Sequence, residues 1–195
     1  MRIIPVLAAA LFLTAAAAAP VPEPSGLWQG AMHGDTPNTL KGATVIDTKA
    51  LADMIRREKP LLLDVVDQDK KSASTSTDIP WMPTHRSIPG AVWLAGAGSG
   101  TSDPAFTAAF KTRIAALTGG DIKKPIVAFC HPHCWGSWNA AKRLVILGYK
   151  HVYWYPDGVE GWQSQDDTKI VRPDPAWEKA LSPGKPTRSK PIREG

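Results

Sequence analysis

Apolar and polar positions along the chain alternate between two rhythms, one suited to helices and one to buried strands. A polar, Pro/Gly-rich lead-in (PEPSGLWQGAMHGDTPNTLKG) precedes the first of these elements. Leu51, Met54 and Ile55 then fall on one helical face, which Asp47 or Thr48 can cap and which Pro60 ends after about Glu58. LLLDVV (61–66) is a continuous apolar run, the pattern of a strand buried on both faces of a parallel sheet. A long polar loop leads to IPGAVWL, a turn feeding a second strand. Asp103-Pro104 opens a helix carrying Phe106, Phe110, Ile114 and Leu117, and Gly119-Gly120 closes it. Pro125 precedes the strand IVAF, a helix runs from about Ser137 to Leu147 before Gly148, and HVYWY is the last strand. Asp157-Gly158 reads as a turn before Trp162 packs. No internal repeat interrupts this order. Strands separated by helices, with crossovers of this length, predict an α/β fold: a single three-layer domain with a central, mostly parallel sheet flanked by helices.

The ends change the picture of where this domain lies. MRIIPVLAAALFLTAAAAAP has one Arg, an apolar stretch and an alanine run, the layout of a secretory signal peptide cut after Ala18 or Ala19. The alternative is a membrane anchor, for which the strongly apolar part is short. The expected organisation is a signal peptide over 1–19, a lead-in over 20–42, the domain over 43–165 and a Pro-rich basic tail over 166–195. Of the net charge of +5, Arg2 belongs to the signal, and Lys185, Arg188, Lys190 and Arg193 against Glu194 place +3 in the last fourteen residues. The body is near neutral, so the basic balance marks a solvated tail rather than a nucleic-acid-binding face, and no nucleic-acid partner is expected. No later segment is apolar enough to span a membrane, so the mature chain is expected to be exported, to a bacterial periplasm where dithiols can be oxidised.

The chemistry concentrates in IVAFCHPHCWGSWNAAKRL, which holds Cys130 and Cys134, the only cysteines of the chain. Cys130 closes a buried strand, and its loop runs into a helix. Beyond the carboxyl ends of strands is where open α/β sheets bind ligands. Inward-facing N–H groups and the positive end of the helix favour a thiolate there, making Cys130 a candidate nucleophile. The same N–H groups would hold an anionic persulfide. Cys134 is a candidate resolving thiol or disulfide partner, since a separation of four lets the sulfurs meet if the turn is helix-like. His131 and His133 could steady a thiolate, bind metal, or simply be exposed loop residues. Trp135 and Trp138 read as walls and packing, and Asp64 as a residue that fixes the loop through backbone N–H groups rather than one that performs acid–base catalysis.

The order of LLLDVV, IPGAVWL, CHPHCWGSWNAAKRLVILGY and VYWYPDGVEGW resembles the rhodanese-like domains, whose reactive cysteine closes a strand and opens a loop into a helix. CW followed by SWNAAKR, with VYWYPDG and a signal peptide, is similar to a narrower group, the PQQ-dependent catabolism-associated CXXCW motif proteins. The resemblance covers about Trp28 to Trp162. It implies sulfane-sulfur chemistry at Cys130, with His131, His133, Trp135, Gly136 and Ser137 forming the loop that binds substrate. It also implies an accessory role near periplasmic quinoprotein alcohol or aldehyde oxidation. Three departures bear on activity. Val66 follows Asp64-Val65 where the family has Asp-Val-Arg, Ser87 stands where it has His before Ile-Pro-Gly-Ala, and no Arg or Lys occurs between Cys130 and Lys142. Thiosulfate is therefore expected to be a poor donor.

Three function classes stay open. One is an enzyme carrying sulfur on Cys130, with a sulfur donor and acceptor or a thiol protein as partners. The second is a thiol–disulfide protein using Cys130 and Cys134. The third is a copper or zinc carrier built on Cys-His-x-His-Cys, a run too short to wrap easily around one tetrahedral ion. No resident cofactor is expected beyond a transient cysteine persulfide, and no residue set suits the quinone itself.

Overall fold

The computed structural model describes residues 19–69 and 83–182. Its strands are β1 (Thr44–Val45), β2 (Leu61–Asp64), β3 (His85–Ser87), β4 (Val92–Trp93), β5 (Ile126–Phe129), β6 (Val152–Tyr155) and β7 (Lys169–Val171). Its helices are α1 (Thr48–Glu58), α2 (Pro104–Thr118), α3 (Trp135–Ile146), α4 (Gly158–Gln163) and α5 (Pro175–Leu181). Five strands form one parallel sheet in the order β1-β6-β5-β2-β4. β3 and β7 form a separate antiparallel pair.

Alternation along the strands divides the core into two layers. Leu62, Val127, Phe129 and Tyr155 pack with Leu51, Met54, Val159 and Trp162 of α1 and α4 on one face. Leu63, Ile126, Ala128 and Trp154 pack with Phe110, Ile114, Trp138, Leu144 and Trp177 on the other. All four residues of β5 are buried, as a central strand covered on both faces requires. The expected three-layer α/β architecture is therefore the observed one.

Local signals fixed the helix ends well. The Asp47 carboxylate accepts from the Ala50 N–H at 2.8 Å, and Asp103 accepts from Ala105 and Phe106 ahead of Pro104. Gly119 closes α2 in the left-handed conformation. Elsewhere the structure departs from the sequence expectation. β2 stops at Asp64, not residue 66, because Asp64 Oδ1 draws the Val66 N–H into a local turn at 3.0 Å. α3 begins at Trp135, two residues early, with Cys134 in extended conformation as its N-cap. Asp157-Gly158 starts a helix rather than a simple turn.

The largest departures lie outside residues 43–165. Beyond 165, β7 pairs with β3, and α5 lies on α2 with Trp177 fully buried. Trp177 Nε1–H donates to the Ala95 carbonyl at 2.9 Å, its ring meets Phe106 edge-on, and Arg113 pairs with the α5 N-cap residue Asp174 at 2.5 Å. The lead-in packs as well: Trp138 Nε1–H donates to Thr39, and Trp28 stacks on Trp135. The tail expected over 166–195 is thus packed against the domain up to Leu181. Residues 1–18, where the signal peptide is expected, and 183–195 lie outside the described residues. Among the described residues no helix is long and apolar enough to cross a membrane.

Candidate active site

Three strands of the sheet, β2, β4 and β5, end at one side, and the loops leaving them border a cavity of about 650 Å³. Val65, Val66 and Asp67 follow directly on Asp64 at the end of β2, and Cys130 follows directly on Phe129 at the end of β5. Trp93, Gly98 and Ser99 come from β4 and the turn after it, and His85 from β3. The two cysteines line the cavity and are bridged to each other, with Cα atoms 6.4 Å apart. That distance is ordinary for a disulfide. The turn between them is not helix-like: His133 is left-handed at φ 51° and Cys134 is extended. Cys130 is only 3% exposed and Cys134 5%.

Backbone packing fits this loop closely. A Cβ on Gly158 would come 2.4 Å from the Cys130 carbonyl, and the Val159 N–H donates to that same oxygen at 2.9 Å. Gly158 is also left-handed at φ 63°, so both the contact and the conformation call for glycine. Gly98 and Gly136 press backbone to backbone across the cavity floor, where a Cβ on Gly98 would lie 2.4 Å from the Gly136 Cα.

Asp64 is fully buried beneath the site. Its Oδ1 accepts the Val66 N–H, and its Oδ2 accepts the Ser87 hydroxyl. His85 Nε2 lies 2.9 Å from Oδ2 but off the line of a hydrogen bond, so among the described residues the contact is one of proximity, not a satisfied bond. The imidazole packs on Trp93 with ring centroids 4.4 Å apart. The ionisable residues lining the cavity are His33, Asp67, Asp69, His85 and His131; among the described lining residues there is no lysine or arginine.

A rhodanese-like domain model matches residues 47–165. The chain belongs to the rhodanese-like family. No curated protein sequence matches it. Among solved structures it is similar to a thiosulfate sulfurtransferase from Pseudomonas aeruginosa, at 16% identity and a TM-score of 0.42 over 71% of this chain and 23% of that one. It is also similar to the 3-mercaptopyruvate sulfurtransferase SseA from Escherichia coli (18%, TM-score 0.44, 64% of this chain and 49% of that one). A third is a human single-domain sulfurtransferase (16%, TM-score 0.40, 64% and 99%). The chain thus spans under a quarter of the Pseudomonas structure and about half of the Escherichia coli one. At these scores the chemistry of the site rests on its own residues.

The rhodanese-like loop brings together only part of the expected residue set. Cys130, Cys134, His131 and Gly136 line the cavity. His133, Trp135 and Ser137 stand outside that lining. His133 is exposed and turned towards Asp35 at 3.6 Å, because its left-handed backbone swings the side chain away from the cysteines. Trp135 is buried between Trp28 and Trp138. Ser137 braces the helix start, donating to the Cys134 carbonyl at 3.2 Å and accepting from Trp154 Nε1 at 3.0 Å. His131 Nδ1 sits 2.6 Å from Glu160 of α4. With the cysteines bridged and the two histidines turned to different carboxylates, the four side chains of the metal reading do not converge. Among the described residues no group of three or more metal-ligating side chains is assembled.

Sequence reasoning missed Met32, His33, Asp67, His85 and Trp93 as lining residues. For His85 the signal was present: two residues before Ser87, it shares a face with Ser87 on any strand through this segment. Both side chains approach Asp64.

Proposed function

We propose that this rhodanese-like protein is a sulfurtransferase-like enzyme that takes sulfane sulfur onto Cys130 and discharges it with the help of Cys134. The observation that carries the reading is the pair itself, bridged at the end of β5 inside a cavity. Once the disulfide is reduced, the Cys130 thiolate attacks the outer sulfur of a donor R–S–SH. The Cys130 persulfide forms and R–SH leaves. Discharge has two balanced routes. An acceptor thiolate can attack the outer sulfur and release Cys130 as thiolate. Alternatively, the Cys134 thiolate attacks the inner sulfur, expels hydrosulfide and closes the observed disulfide. A reducing thiol must then reopen the pair. The start of α3 favours negative charge on sulfur, whereas Asp67 and Asp69 make the lining unfavourable to dianions. A neutral or singly charged persulfide suits it better than thiosulfate.

The bridged pair also favours a second reading, a thiol–disulfide protein without sulfur transfer. Comparing donors on the reduced protein separates the two. Thiocyanate released by cyanide after incubation with cysteine persulfide, and much less after thiosulfate, is the expected result. No thiocyanate from any donor, with the cysteines still cycling between dithiol and disulfide, establishes the second reading instead. The signal-like amino terminus and the CW…SWNAAKR block support export to a periplasm and service to a quinoprotein oxidation system, with no quinone bound by this chain. Radiolabelled export with loss of the first 18 or 19 residues tests the first part. Co-purification with a quinoprotein dehydrogenase tests the second.

A further inference from the structure

The rhodanese-like match begins at residue 47, yet one wall of the cavity comes from before it. Met32 and His33 line the cavity, on a segment fastened along the cysteine loop. His33 forms an antiparallel bridge with Cys134. The Gly34 N–H donates to His133 at 2.9 Å, and the Met32 carbonyl accepts the Trp135 N–H at 2.8 Å. The segment is anchored at Trp28. Its N–H donates to Asn139 Oδ1 at 2.7 Å, its carbonyl accepts from Asn139 Nδ2 at 2.9 Å, and its ring stacks on Trp135 at 4.3 Å. Two glycines make this docking sterically feasible. A Cβ on Gly100 would lie 1.8 Å from the Trp28 carbonyl, and one on Gly30 would lie 2.5 Å from the Trp28 ring.

We propose that the Trp28–Gly34 segment is the specificity wall of the site, admitting small sulfur donors and thiols to the Cys130–Cys134 pair and excluding a cysteine carried on a folded protein. The segment covers the open edge of Cys134, and both cysteines are almost inaccessible from outside although the cavity beside them has room for a small molecule. Met32, Val65, Val66 and Trp93 give that space an apolar lining suited to a compact, weakly charged thiol. Trp28 and Asn139 are then positioning residues, acting through the wall and not on sulfur. The inference rests on Cys130 and Cys134 being the reacting sulfurs, but not on Cys130 carrying sulfane sulfur.

The test is reduction of the disulfide. One thiolate opens the bridge as a mixed disulfide, and a second thiol releases it, giving R–S–S–R and the protein dithiol. Rates are compared for 2-mercaptoethanol, glutathione and a folded protein bearing one exposed cysteine, in wild type, Gly100→Ala and Trp28→Ala. Gly100→Ala dislodges the wall without altering it, and Trp28→Ala removes its anchor. The expected result in both variants is a rise in the protein-thiol rate, relative to 2-mercaptoethanol, of about tenfold or more, a barrier change of roughly 1.4 kcal/mol. A merely structural role would move all three rates together. An unchanged ratio in both variants overturns the proposal, as does a wild-type pair that the protein thiol reduces as readily as 2-mercaptoethanol does. If the ratio shifts but sulfur loading never occurs, only the sulfurtransferase reading fails.

Discussion

Replacing Asp64 separates a scaffold role from a catalytic one. Among the described residues the fully buried carboxylate accepts two buried donors, the Val66 N–H and the Ser87 hydroxyl. Asp64→Ala orphans both, and a buried donor left without a partner costs about 1–3 kcal/mol. Removing a buried charge recovers some of that loss. The net cost is therefore placed low in the summed range, at about 2–4 kcal/mol. With a urea slope of about 2 kcal/mol per molar, the unfolding midpoint falls by about 1–2 M. Asp64→Asn keeps an oxygen for the Val66 N–H, so it loses about half as much. The assay is urea unfolding with the disulfide intact, followed by sulfur loading of the reduced protein at low denaturant. An Asp64→Ala midpoint equal to wild type would falsify the scaffold account. If Asp64→Asn is as stable as wild type yet loads sulfur about 100-fold or more slowly, Asp64 is an acid–base group and the reasoning fails.

Two other perturbations probe the ends of the packed body. Trp177→Ala empties a fully buried site and frees the Ala95 carbonyl, at a cost of about 3–5 kcal/mol; calorimetry should show the melting temperature falling by roughly 6–20 °C. An unchanged transition would mean that α5 does not contribute to the folding unit. Glu23 is held below the usual carboxylate range, first by the Thr39 hydroxyl and then by the Lys41 N–H. Its folded pKa is depressed, so its contribution is present above the ordinary glutamate range and disappears as pH falls through the lowered value. Hydrogen exchange at the Lys41 amide, corrected for its intrinsic pH dependence, should lose protection on acidification in wild type. Glu23→Gln should show no such transition; the same acid loss in that variant would refute the assignment.

The central fold was legible because its signals are local and redundant. LLLDVV and IVAF are apolar throughout, Asp103-Pro104 and Gly119-Gly120 punctuate α2, and Cys130 follows directly on β5. The rest depended on contacts between residues distant in sequence. β3 and β7 are three residues each and become strands by pairing with each other. α5 is too short to hold as an isolated helix, and Trp177 sits among charged and Pro-rich neighbours that read as a tail. Its burial depends on Phe106, Phe110 and Ala95, none nearby in sequence. The candidate site divides in the same way. The cysteines were legible from their place at a strand end, but Met32 and His33 enter the lining only through the antiparallel bridge to Cys134. Trp135 looked like a substrate wall in the loop, yet its ring turns inward because Trp28 is there to stack on it.

The most direct test of sulfur carriage on Cys130 is the intact mass of the reduced protein after exposure to cysteine persulfide, with peptide mapping. Wild type and Cys134→Ser should each gain one sulfur atom on the Cys130 peptide, with Cys134→Ser holding it longer because it cannot expel hydrosulfide by closing the disulfide. Cys130→Ser should gain none. Normal loading of Cys130→Ser, or a wild type that never gains sulfur from any persulfide donor, would contradict the account.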